Sequence, residues 1–188
     1  MASWRRSRFR GSTIFRSDLP KKVKMQFWHW SGRESELLRP VAEWLRTFKL
    51  SVYAEVPAGT KRVDVLGHRR PGGLFSRAEE FYAVELENDT DQLKRGLDQM
   101  TTFADYCNEV YLACTPWLAA EYLDAHSQAN NVRRWDGDLL TNKLARFGFG
   151  LLLVDSNKVA EVMKPTRKAP PKTKVEEVRK TLDRLRPL

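Results

Sequence analysis

The run EVYLACTP, residues 109–116, constrains the fold more than any other stretch. It is apolar almost throughout, too short for an ordinary helix, and stopped by Pro116, which cannot extend a hydrogen-bonded ladder. A strand apolar on both sides must be covered on both sides, so it predicts a sheet held between layers of helix. GFGLLLVD at 148–155 predicts a fifth strand.

Other strands are expected before this pair. LSVYAEVPAG (50–59) is β-rich and closed by Pro57 and Gly59, and TKRVDVLGH (60–68) follows at once. Its alternation places Val63 and Val65 on one face and Arg62, Asp64 and Leu66 on the other. The turn-forming Pro71-Gly72-Gly73 then predicts a hairpin into a third strand at 81–87. Leu37, Leu38, Val41, Trp44, Leu45 and Phe48 recur at helical spacing in 32–50, with Pro40 as a kink or a late start. A second helical pattern runs from Asp89 to Tyr106 and can be capped by Asp89 or Thr90. Shorter helices are expected at 117–126 and 138–146. The order α-β-β-β-α-β-α-β gives a single α/β domain with a central mixed β-sheet flanked by helices.

Charge divides the chain differently. The net charge is +9 over 188 residues. Residues 1–30 hold eight Arg or Lys against one Asp, and 155–188 hold ten against five, which leaves the middle mildly acidic. The expected organisation is a basic arm at 1–30, the α/β domain at 31–160, and a basic linker with a short terminal helix at 161–188. Basic ends on an acidic body suit a polyanionic partner, nucleic acid above all. No apolar run has the length of a membrane span, and no secretory apolar segment stands near the start. Cys107 and Cys114 sit in apolar runs and read as buried free thiols of a reducing, cytoplasmic setting; the Arg- and Ser-rich start also has the composition of an organellar targeting segment. His29, His68 and His126 are isolated, His68 being read as a surface imidazole. Trp135 is a candidate for stacking on a base or for burial. No Gly-rich phosphate loop, Ser/His/Asp set or zinc-ligand spacing is present.

FYAVELEND, 81–89, is the stretch that carries chemistry. Glu85 and Glu87 share one face of their strand, and a hairpin brings Asp64 beside them. Converging carboxylates repel unless protonated or bridged by a cation, and such hard oxygen donors suit Mg²⁺, with Mn²⁺ as a substitute. The other reading is a set of acids exposed at a sheet edge or paired with Lys61, Arg62 or Lys94.

The succession RVDVLG, YAVELEN, QLKRGLDQMTTFADY, EVYLACTP and GFGLLLVD resembles the PD-(D/E)XK nuclease superfamily over roughly residues 32–155. The resemblance implies a restriction-endonuclease-like fold and Mg²⁺-dependent hydrolysis of DNA. It assigns metal binding to Asp64 and Glu85, with the Leu86 carbonyl as a backbone ligand and Glu36 as the early helix acid ahead of Glu34 and Glu55. Gln99 falls where relatives carry a Gln in a Gln-x3-Tyr pattern, although Phe103 stands here for the Tyr. The departure is Glu87, where the motif lysine is expected. Either Glu87 handles the attacking water, or Lys94 reaches back from the next helix rather than pairing with Asp98, or activity is lost. Arg62, Arg69 and Arg70 are expected to contact the nucleic-acid backbone, DNA ahead of RNA. A homodimer is compatible with cutting two strands. The alternative is an inactive nuclease-fold protein that binds nucleic acid through its basic tails.

Overall fold

The computed structural model describes residues 33–72, 79–119 and 140–188. The expected basic arm, residues 73–78, and residues 120–139 with His126 and Trp135 lie outside the described residues.

A single mixed sheet of six strands organises the domain: β1 (Ser51–Ala58), β2 (Lys61–Arg69), β3 (Glu80–Glu87), β4 (Glu109–Cys114), β5 (Gly150–Asp155) and β6 (Lys158–Met163). They lie side by side in chain order. The β1–β2, β2–β3 and β5–β6 pairs are antiparallel, while β3–β4 and β4–β5 are parallel. The parallel centre is where the most apolar runs fall, because helices cover both its faces.

Helix α1 (Ser35–Thr47) covers one face, setting Leu37, Val41 and Leu45 against Val65, Val84, Leu86 and Leu152. Pro40 is buried inside α1 and leaves it one helix, the cost being a missing backbone donor. Three helices cover the other face: α2 (Thr90–Phe103), α3 (Leu140–Phe147) and α4 (Lys172–Leu182). They contribute Leu93, Met100 and Phe103, then Leu140 and Leu144, then Val178 and Leu182 to one core. Asp89 caps α2, its carboxylate accepting from the Asp91 amide at 2.8 Å. A helical turn at 116–119 is described, and the rest of the helix expected to 126 lies outside. None of the described helices is long and apolar enough to cross a membrane.

Three expectations change. The strand β6 was not anticipated, because KVAEVM is an edge strand whose mixed, largely exposed side chains lack the apolar run of a central strand. The Pro- and Lys-rich stretch after Lys164 is fastened to the body: amides of Thr166 and Lys168 donate to the carbonyls of Gly148 and Asn108 at 2.8 and 2.9 Å. Finally, Val63 and Val65 do not share a face. Val63 and Leu66 enter the α2-side core and Val65 the α1-side core, so alternation breaks at Asp64. Glu55, on the neighbouring strand, has φ 55°, a left-handed conformation that costs a non-glycine residue roughly 1–3 kcal/mol. The backbone is therefore irregular where Asp64 sits.

Candidate active site

Register brings the acids together. Val65 pairs with Val84, so the next step along each strand sets Asp64 level with Glu85. Asp64 Oδ2 accepts the Leu86 amide at 2.8 Å, which ties the β2 carboxylate to the β3 backbone. Glu85 is buried on the α2 side, and Gln99 of α2 donates from Nε2 to its Oε1 at 2.5 Å. Glu87, one pleat further on, is buried beneath Gly96 of the same helix.

Gly96 is the residue that admits Glu87. A β-carbon on it would stand 2.9 Å from Glu87 Cγ, closer than real β-carbons approach, and 3.0 Å from Cδ, a tight contact. Glycine inside a helix costs about 1 kcal/mol relative to alanine, and here it leaves room for a carboxylate under the helix. Sequence reasoning passed over Gly96, although a glycine within an otherwise helical pattern is a signal of close approach.

The electrostatics are only partly compensated. Burial pushes the Asp64 and Glu85 carboxyls up, and their mutual repulsion, joined by Glu87 and Glu34, holds Glu85 protonated in the neutral range. Burial, with the charges of Glu34 and Asp64, pushes Glu87 up to about 8. Among the described residues none of the three has an ion-pair partner, and Glu85 Oε2 and Glu87 Oε2 are buried with no hydrogen bond. Buried carboxylate oxygens without donors are costly, so this cluster is a place where a fold gives up stability.

The flanking residues fall differently from expectation. Glu36 is exposed on α1, and the α1-end acid whose charge reaches Asp64, Glu85 and Glu87 is Glu34. Lys94 is exposed; the cation whose field lowers Glu87 is its neighbour Arg95, also missed by sequence reasoning because α2's facing was unknown. Arg62 pairs with Glu55 at 3.2 Å. Arg69 and Arg70 do not lie beside the acids: five residues along β2 is roughly 16 Å at ~3.3 Å per residue. Arg69 is committed to Glu80 at 2.6 Å and to the Phe48 carbonyl at 3.2 Å. His68 is buried, not at the surface; it is stacked on Phe81 and bonded through Nε2 to Glu79 at 2.8 Å. Cys107 and Cys114 are buried free thiols, and Phe103 is core.

Among the described residues no three His, Cys, Asp or Glu side chains stand in a geometry that holds a metal ion. The expected Glu36–Asp64–Glu85 set is thus not assembled, since Glu36 is exposed on α1 while Asp64 is half-buried and Glu85 buried within the sheet. A hard cation of the Mg²⁺ type needs less: one or two protein carboxylates, with water and phosphate completing its shell. Asp64 and Glu85 meet that smaller requirement in donor chemistry, and a cation would relieve the repulsion that burial imposes.

No protein-family model matches the chain, and no curated protein matches it. Among solved structures the fold is similar to that of the SPO1766 protein of unknown function from Silicibacter pomeroyi. The TM-score is 0.56, at 19% identity over 80% of this chain and 83% of that one. At that identity the likeness concerns the fold alone.

Proposed function

We propose that the protein is a divalent-metal-dependent nuclease of the PD-(D/E)XK kind that hydrolyses phosphodiester bonds, DNA being the preferred substrate. The observation that carries this reading is a cluster of three carboxylates, Glu85 and Glu87 buried on β3 and Asp64 half-buried level with them on β2, covered by a helix glycine and without an ion-pair partner among the described residues. A fold gains nothing in stability from such a trio, and function is the ordinary reason to keep one.

Asp64 and Glu85 would hold the ion, which when bound supplies charge to a phosphoryl oxygen and acidity to a coordinated water. The chain's own groups do the rest. Gln99 fixes the rotamer of Glu85 through Oε1 and leaves Oε2 free. Glu87 stands in the sequence where the motif lysine is expected, and its Oε2, buried without a hydrogen bond, is available to take or return a proton. Arg95, exposed above it, supplies positive field from the solvent side of α2. The chain's net +9 favours a polyanionic substrate.

The test is cleavage of single- and double-stranded DNA and RNA in Mg²⁺, Mn²⁺ or EDTA, beside Asp64→Asn, which keeps an acceptor for the Leu86 amide. Metal-dependent cutting that falls at least ~10²-fold in the variant supports the reading. Salt-sensitive binding with no cutting under any condition would leave a nucleic-acid-binding protein on the same fold.

A further inference from the structure

Trp117 is 52% exposed, and it stands at the same end of the sheet as the acids. Glu87 pairs with Cys114 in the parallel ladder, and Asn88 and Thr115, one step on, are joined by a 3.0 Å side-chain hydrogen bond. Thr115 then receives the Leu118 amide at 3.1 Å, which fixes the first turn after β4. Leu118 is wholly buried in the α2-side core, so the turn is anchored while the neighbouring indole stands in solvent. Adjacent strands are ~4.8 Å apart and three residues span at most ~10 Å, which places the Trp117 Cα within roughly 15 Å of that of Glu87.

The other exposed rings on the described surface differ. Phe48 packs edge-on against Trp44 at 4.9 Å, and Phe147 stacks on Phe149 at 5.6 Å. Trp117 has no ring partner among the described residues. An indole on a rigid turn costs little conformational entropy to engage, and it presents a planar face to a planar ligand.

Taking the hydrolytic site above as given, we infer that Trp117 is a stacking platform for an unpaired base of the substrate strand, a few nucleotides from the phosphate held at Asp64 and Glu85. At the ~3.4 Å rise of a stacked strand, the distance bound to Glu87 corresponds to at most about four nucleotides, and to fewer in an extended, unpaired strand. The platform therefore selects single-stranded or frayed substrate over intact duplex, whose base faces are already stacked.

The experiment measures equilibrium binding of the full chain, in EDTA, to a fluorescent single-stranded oligonucleotide, an abasic strand of equal length, and a duplex. Trp117→Ala should weaken binding of the base-bearing strand about tenfold, leave the abasic strand and duplex unchanged, and erase the preference for bases. Trp117→Phe should retain most of that preference, since it keeps an aromatic face. Equal affinities of parent and Trp117→Ala for the base-bearing strand would overturn the inference, and so would an equal loss on all three ligands. The same variants assayed for cutting in Mg²⁺ separate the two readings. Cutting that ignores Trp117 removes the platform alone; Trp117-dependent binding without cutting removes the hydrolytic reading and leaves a base-binding surface.

Discussion

Strand β3 begins and ends in acids, and the two ends treat them in opposite ways. At the start, Glu79 meets His68 and Arg179 of α4, while Glu80 meets Arg69, Arg167 and the Tyr82 hydroxyl. Burial alone would raise both carboxyls, but hydrogen bonds from Arg179 and His68 to one, and from Arg167 and Tyr82 to the other, hold them below their ordinary value. At the finish, burial raises Glu85 and Glu87, and the nearest charges are mostly more acids. One end uses acids to fasten the C-terminal segment onto the sheet. The other keeps two buried acids, each with one carboxylate oxygen that has no hydrogen bond and neither with an ion-pair partner among the described residues. Burial is common to both, so the presence of a cation is what separates a structural carboxylate from a candidate catalytic one.

The largest expected effect breaks the satisfied end. Glu80→Ala leaves Arg69 and Arg167 without their shared partner and should destabilise the fold by about 2–3 kcal/mol, discounted because both guanidinium groups reach solvent. A urea midpoint measures it. Next comes the unsatisfied end. Glu87→Gln should stabilise the fold by about 1–2 kcal/mol at pH 9 and by little at pH 5, read from urea curves at both. The sign follows from linkage. A group raised from 4.5 to about 8 contributes stability that is full below 4.5 and lost as pH climbs through 8. Glu80, held below 4.5, contributes stability present at neutral pH and lost as the solution is acidified. The two ends should therefore bend opposite limbs of the stability–pH curve, and Glu80→Gln should flatten only the acid limb.

Gly96→Ala comes last in stability and sharpens the comparison. The helix gains about 1 kcal/mol of propensity, which offsets the displacement of Glu87, so the net change should stay within ~1 kcal/mol. Under the proposed hydrolytic function, cutting should nevertheless fall about tenfold, because Glu87 is pushed from its place. A loss of stability without a loss of cutting would mean that Glu87 is not used.

The fold was legible where burial is two-sided. EVYLACTP and GFGLLLVD announced the sheet's centre, and Asp64, Glu85 and Glu87 stood out as acids interrupting apolar strands. β6 was hidden because an edge strand need not be apolar. The role of the C-terminal segment was hidden because its binding to the body runs through Arg167, Arg179 and the Glu79–Glu80 pair, which composition reads only as charge. The sequence ranks Glu36 ahead of Glu34 and points to Lys94 without marking Arg95, for one reason. Helical periodicity gives spacing between residues on a face, but not which turn of the helix meets the sheet.

The central claim is that the carboxylates ending β3 await a divalent ion, and thermal unfolding with and without Mn²⁺ at pH 8 tests it most directly. The parent chain should be stabilised progressively as millimolar Mn²⁺ is added, and Glu85→Gln and Asp64→Asn should lose that response while remaining folded. A parent midpoint that Mn²⁺ leaves unmoved, or a shift that survives in both variants, would contradict it.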